Sequence, residues 1–347
     1  MNGARAFDLL VVGGGPAGLA TAIEAARRGM TVAVIERRYG VIDKACGEGL
    51  MPPAVRELRE MGVELAGGRN FFGIRYVANG AAAEARFRGS HGIGLRRTTL
   101  HGALAARAAD LGVVRVVAEI TEVRQAAEYV EAGELRGRWL AAADGLHSRI
   151  RRSLCLAAPS RHPPRHGIRR HFRNEPWSDL VEVHWTEQAE AYVTPIGEDL
   201  VGVAVLFTGR GCFDAWLARF PSIVARLGAA ASTPQGAGPF EQRVVRRVVG
   251  RVALVGDAAG FLDPLTGEGV GLGIAAARAL VRCLVSEEGI EGYERRWRGL
   301  TRRYRFMTAA LLRLRHVPAL RCRLVPLLQR CPGLFDSGLR FMVGSGS

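Results

Sequence analysis

Apolar positions along the chain follow two rhythms. Leu9-Leu10-Val11-Val12, Thr31-Val32-Ala33-Val34-Ile35 and Val252-Ala253-Leu254-Val255 are short unbroken runs, the pattern of strands covered on both faces of a parallel sheet. Val113–Ile120 and Trp139–Ala143 have the same character. Leu180–Trp185, Ala191–Pro195 and Leu200–Phe207 instead alternate apolar with polar residues, which predicts an antiparallel sheet. Short strands with turns are expected at Phe71–Val77 and Ala85–Arg88, and a hairpin-like pair around Glu122–Val130 and Glu134–Arg138. Helical spacing predicts helices from Pro16 to about Arg28, over Pro53–Met61, from Arg97 or Leu100 onward (Leu104, Ala105, Ala108), and at Phe213–Phe220 and Ser222–Leu227. A long Ala-rich helix runs to Val285, opening at Gly269.

The first strand runs into Gly13-Gly14-Gly15-Pro16-Ala17-Gly18. Gly13 permits a tight turn, Gly15 lets backbone approach a pyrophosphate, and Gly18 lets helix and strand pack closely. The helix N-terminus offers free N–H groups to that pyrophosphate. Glu36 closes the second strand, 18 residues after Gly18, where a carboxylate accepts from a ribose 2′-OH and repels a 2′-phosphate. FAD or NAD is therefore expected rather than NADP.

The two rhythms interleave. They predict an α/β chain in which a Rossmann-like dinucleotide-binding domain (residues 1–61, 95–160 and 246–290; the FAD-binding domain if the nucleotide is FAD) is interleaved with an antiparallel-sheet substrate domain (62–94 and 161–245), plus C-terminal helices (291–347). With 347 residues, 48% of them hydrophobic, two cores are affordable. There is no run of 18 apolar residues, and the first strand starts too early to leave room for a signal peptide. Six cysteines lack C-x-x-C spacing, and the eight histidines lack metal-ligand spacing, so no metal site is expected. A cytoplasmic location fits. The net charge of +15 is almost all arginine, Lys44 being the only lysine; no nucleic-acid-binding module accompanies it.

Three further stretches carry candidate chemistry. The loop Lys44-Ala45-Cys46-Gly47-Glu48-Gly49 is glycine-rich and polar, which suggests close backbone approach to something flat or charged. Arg97, at a helix start, opposes the helix dipole; a bound anion would compensate it, and a solvated side chain is the alternative. Six glycines between 256 and 273 are costly unless backbone approaches a ligand. Asp257 can accept from a ribityl hydroxyl there, and the helix opening at Gly269 can stabilise negative charge on a reduced flavin. The basic, proline-broken stretch 161–173 reads as a linker running into a strand with a solvated face, a phosphate-binding patch being the alternative.

Taken together, Gly13-x-Gly15-x-x-Gly18 with Glu36, Ala143-Asp144-Gly145-x-x-Ser148-x-x-Arg151, and Gly256-Asp257-Ala258-Ala259-Gly260-x-x-Asp263-Pro264-x-x-Gly267-Glu268-Gly269 resemble the p-hydroxybenzoate-hydroxylase-fold flavoproteins over about residues 6–300. That superfamily holds FAD monooxygenases, flavin halogenases and geranylgeranyl reductases. The resemblance implies bound FAD, with NADPH or NADH as a transient electron donor. It places Gly13, Gly15, Pro16, Ala17, Gly18, Glu36, Arg37, Cys46, Gly47, Arg97, Ile120, Asp144, Asp257, Gly267, Gly269 and Val270 around the cofactor; Cys46 and Tyr192 are the candidate catalytic residues to face a hydrophobic small-molecule substrate. The leading expectation is a monooxygenase of a phenolic or polyketide-like molecule, with reduced flavin binding oxygen at C4a. Lys44-x-Cys46-Gly47 and Gly260 lean instead toward a reductase of isoprenoid double bonds, although the Y-x-W-x-F-P signature of that branch survives only as Tyr192-x-Thr194. A flavin-binding or membrane-surface protein without turnover is the third alternative. The absent W-x-W-x-I-P motif and the lack of a second lysine argue against halogenation.

From Glu294 to Arg330 there are eleven arginines and no further acid, interleaved with Trp297, Leu300, Tyr304, Phe306, Leu311, Leu312, Leu320 and Leu328. This predicts basic amphipathic helices, broken at Pro318 and Pro326. They either lie on an anionic membrane surface or cap the core with their arginines in solvent.

Overall fold

The computed structural model describes residues 6–343, apart from the side chains of His316 and residues 318–322. Leu320 and Cys322 fall among those side chains and so lie outside the described residues.

The unbroken apolar runs form one sheet. Its order is Val248–Val249, Val252–Leu254, Leu135–Ala142, Ala6–Val12, Val32–Glu36, Val114–Val117, all parallel except the first pair. Leu9, Leu10, Val11, Ala141 and Ala253 are fully buried at its centre. The helices Pro16–Ala26 and Gly269–Leu284 cover it and meet closely at Ala17: a Cβ on Gly273 would stand 3.2 Å from the Ala17 Cβ. Helix Arg97–Asp110 packs beside them.

The alternating strands form a second, seven-stranded sheet. Its order is Gln235–Ala237, Arg165–Arg173, Leu200–Thr208, Ala189–Pro195, Val181–Trp185, Gly73–Ala78, Ala81–Arg86. Only Val181–Trp185 and Gly73–Ala78 pair in parallel. The segment 73–86 thus joins a sheet otherwise built about a hundred residues later.

Several expectations change. The strand expected at Val113–Ile120 is only Val114–Val117, because as the sheet's edge it alternates half-buried with exposed positions. Glu134–Arg138 and Trp139–Ala143 are one strand, Leu135–Ala142, whose first half pairs with Val130–Ala132. The helices expected after Phe207 shrink to Phe213–Leu217 and Pro221–Val224. The largest correction is at 161–173. Arg165–Arg173 is a nine-residue interior strand, and Arg165, Arg169 and His171 point into the protein. Arg165 donates from Nε to Asp263 (2.8 Å) and from Nη2 to Glu190 (2.9 Å), and Arg315 closes on the same Glu190. A buried cation needs such partners.

The C-terminal segment forms helices Gly292–His316, Pro318–Arg330 and Pro332–Val343. Pro326 does not break the second helix as expected; it sits inside it. Leu311, Leu312, Val325, Leu328, Phe335 and Leu339 are buried against Ile74, Tyr76, Ala83 and Trp185 of the second sheet. The Tyr76 and Phe335 rings are 4.7 Å apart. At about 1.5–3 kcal/mol for each fully buried large side chain, this docking outweighs anything the exposed arginines contribute. Among the described residues, no helix is long and apolar enough to cross a membrane.

Candidate functional site

Parallel register brings three turns together. Val12 pairs with Ala142, and Ala142 with Leu254, so the turns at Gly13, Ala143 and Val255 leave neighbouring strand ends. This is the crevice outside the carboxyl ends of parallel strands, where α/β proteins bind ligands. Gly13 has φ +106°, and a Cβ there would overlap the Ala143 carbonyl; a Cβ on Gly18 would overlap the Gly13 carbonyl. Gly15 differs. It caps the helix with an ordinary φ of −74°, and its missing side chain meets nothing closer than Arg97 Nη2 at 3.8 Å. Gly13 and Gly18 serve the fold, while Gly15 opens space.

That space is a cavity of about 660 Å³. Gly13, Gly15, Pro16, Ala17, Glu36, Arg37, Cys46, Gly47, Arg97, Ile120, Asp144, Tyr192, Asp257, Gly267, Gly269 and Val270 all line it. Of the expected set only Gly18 stands outside, buried beneath the turn. The second sheet, the helix Pro332–Val343 and Phe240 from the loop after Gln235–Ala237 add an apolar wall that includes Ile74, Tyr76, Val183, Leu206 and Met342.

Polar groups along the nucleotide side have unspent capacity. Arg97 is the first residue of its helix and is 6% exposed, so the solvated alternative fails. Burial pulls its guanidinium below the usual range, nearby Asp43, Asp257 and Glu48 opposing, and its Nη1 has no hydrogen-bond partner. An anion beside Gly15 would supply one. Glu36 Oε1 accepts from the Arg38 backbone N–H (3.1 Å) and Arg38 Nε (3.3 Å), while Oε2 accepts only from Gly14 N–H (2.9 Å) and keeps lone-pair capacity for a ribose hydroxyl. Asp144 spends Oδ2 on the N–H groups of Arg149 (2.8 Å) and Ile150 (3.2 Å), capping a short helix, while Oδ1 is buried without a partner. Arg151 then staples the second motif to the third, donating to the carbonyls of Leu146 (2.8 Å), Asp257 (3.3 Å) and Ala258 (3.1 Å).

Two candidates touch the substrate side differently. The Cys46 thiol is raised above its usual range by burial and then by Glu48, so it stays protonated at neutral pH. The Tyr192 hydroxyl donates to the Leu265 carbonyl at 2.8 Å, and burial holds its pKa well above the usual value. Tyr192 is thus a strut for the loop before Gly269 as well as a wall residue.

Two sets of residues escaped sequence reasoning. His101 lies one turn after Arg97; its Nδ1 accepts from Ile42 N–H (3.4 Å), leaving Nε2–H to donate to the Gly14 carbonyl (3.0 Å). The i, i+4 spacing from Arg97 was the available signal. Glu48, Arg169 and His171 form a buried cluster behind Cys46. Its signal was the period-2 placement of Arg165, Gly167, Arg169 and His171 on one strand face.

Fold and site together define a nucleotide-binding flavoprotein: a glycine cradle, an unpaired buried arginine and a ribose-facing carboxylate on one cavity fit FAD. The chain belongs to the FAD binding domain family, which matches residues 6–193, and is an FAD-dependent oxidoreductase. It is 30% identical over 329 residues to a menaquinone reductase of Mycolicibacterium smegmatis (strain ATCC 700084 / mc(2)155), covering 84% of this chain and 79% of that one. It is 26% identical over 333 residues to digeranylgeranylglycerophospholipid reductase 1 of Methanococcoides burtonii, covering 84% and 80%. Among solved structures, p-nitrophenol 4-monooxygenase from Pseudomonas putida DLL-E4 shares the fold with a TM-score of 0.82 at 20% identity, covering 98% of this chain and 97% of that one.

Proposed function

We propose that this flavoprotein hydrogenates a carbon–carbon double bond in an isoprenoid chain. The observation that carries the reading is Cys46, a protonated thiol on the wall that joins the glycine cradle to the apolar part of the cavity. Saturating a double bond takes a hydride at one carbon and a proton at the other. Reduced FAD supplies the hydride when bound, with NADPH or NADH as the transient donor that reduces it. Cys46 donates the proton, and its thiolate regains one from solvent. Ile74, Val183, Leu206 and Met342 give a hydrocarbon chain dispersion contacts without asking it for hydrogen bonds. The names of two relatives, reductases of menaquinone and of a digeranylgeranyl lipid, support this reading. It reverses the order expected from sequence, where hydroxylation led. Hydroxylation stands second, favoured by the fold shared with a monooxygenase.

Product mass separates the two. FAD-loaded protein given NADPH or NADH and a geranylgeranyl lipid is expected to add two hydrogens per turnover, in air or under argon. A gain of one oxygen, lost under argon, would replace hydrogenation with hydroxylation.

We further propose that the substrate arrives from an anionic membrane surface along the C-terminal helices. Leu300, Arg303 and Phe306 stand three residues apart on one exposed stripe of Gly292–His316. The Arg303 guanidinium lies over the Phe341 ring, 5.5 Å from its centroid, and the next residue, Met342, lines the cavity. Holoprotein is expected to sediment with phosphatidylglycerol vesicles at low salt and not with phosphatidylcholine vesicles. Phe306→Ser with Phe341→Ser should weaken that partitioning about tenfold, or 1.4 kcal/mol. Equal partitioning into both lipids would sink the idea.

A further inference from the structure

Behind Cys46 lies a buried charged cluster of Glu48, Arg169 and His171. Glu48 is 4% exposed, and Arg169 and His171 are each 1% exposed. Glu48 has φ +59°, a left-handed conformation uncommon outside glycine. Its side chain is held from two sides: Oε1 accepts from Arg97 N–H at 2.8 Å, and Oε2 faces His171 Nε2 at 2.7 Å. Arginine can only donate, so the 3.2 Å contact of Arg169 Nη1 makes His171 Nδ1 the acceptor. The ring proton therefore sits on Nε2 and points at Glu48. Arg169 in turn holds the loop through Asp43 (2.6 Å) and the Lys44 carbonyl (3.4 Å). The opposing strand leaves room: a Cβ on Gly202 would stand 3.2 Å from Glu48 Oε2. Loop 43–49 is thereby riveted to the interior strand Arg165–Arg173 of the second sheet, with the Glu48 N–H turned to Cys46 Sγ at 3.4 Å.

We propose that Glu48, locked by His171 and Arg169, is a positioning residue that aims Cys46 at the cavity and holds it as the thiol. The charges facing Cys46 are Glu48 from its own loop, Arg97 from the helix start and Arg169 from the strand; the carboxylate opposes loss of the thiol proton and the two cations favour it. The inference rests on Cys46 being the proton donor for its purpose, but the cluster acts on the thiol whether or not that reaction occurs.

The test therefore reads the thiol and not turnover. Iodoacetamide modification of Cys46 is followed by mass spectrometry of its peptide, against pH, in protein with and without FAD. Only the thiolate reacts, so the rate reports the thiolate fraction and its midpoint. Glu48→Gln is expected to move the midpoint to lower pH and raise the rate at pH 7.5 about tenfold. Glu48→Asp, which keeps the charge, should leave the midpoint near that of the native protein. Arg169→Gln, which removes a cation, should move it the other way and slow modification. A purely structural cluster would change the rate by one factor at every pH, with the midpoint unmoved. That result in Glu48→Gln, or in Arg169→Gln should the first variant not fold, overturns the proposal. A moved midpoint in a protein that hydrogenates nothing would uphold the cluster and discard the reductase reading.

Discussion

Gly15→Val is expected to fold as the native protein does and to lose its FAD. The position has an ordinary backbone conformation, and a Cβ there meets nothing closer than Arg97 Nη2 at 3.8 Å, so stability should change little. What it fills is the place where backbone N–H groups and Arg97 converge on the cavity. Loss of that approach should weaken FAD binding at least about a hundredfold, or 2.7 kcal/mol, read from the flavin absorbance of purified protein and from titration of apoprotein. Gly18→Ala is the contrasting variant. Its methyl would overlap the Gly13 carbonyl, forcing helix from strand at a cost of about 1–3 kcal/mol or more. For a chain of 347 residues that is a fall in melting temperature of roughly 1–4 °C. One glycine thus reports the ligand and the other the fold. Native FAD affinity in Gly15→Val would remove the cofactor cradle from this turn.

The difference between those glycines also shows why the nucleotide half was legible in sequence. Gly13, Asp144 and Asp257 each follow a strand, so local constraints (tight turn, helix start, close packing) write themselves into neighbouring residues. Parallel register then makes three such turns converge. The substrate half carries no equivalent. Arg165 and Arg169 look like the face of a solvated strand, because their partners Asp263, Glu190 and Asp43 lie 98, 25 and 126 residues away. Only the sheet order brings these together, and it includes a segment, Gly73–Arg86, from the far side of the nucleotide domain. The C-terminal helices were ambiguous for the same reason. An amphipathic stripe states that a face will be covered, and Tyr76, Ala83 and Trp185, which cover it, are not its neighbours in sequence.

Cys46→Ala carries the largest catalytic consequence. If the thiol is the proton donor, its loss should lower the hydrogenation rate about 10²–10⁴-fold, the usual worth of a positioned general acid. FAD content and melting temperature should hold, because alanine keeps the small apolar volume and Gly47 remains beside it. The pH profile gives a second handle. The acid form is the active one, so the rate should be flat at neutral pH and fall as pH rises through the thiol's own value. Burial and Glu48 raise that value, so the fall should come above the usual thiol range. In Glu48→Gln the same fall should start at lower pH, following the alkylation midpoint. A Cys46→Ala protein that hydrogenates at the native rate would exclude the thiol as donor. One that still consumes NADPH and oxygen and adds oxygen to product would return the chain to the hydroxylases, because oxygen transfer asks the cavity to keep water out and asks nothing of a thiol.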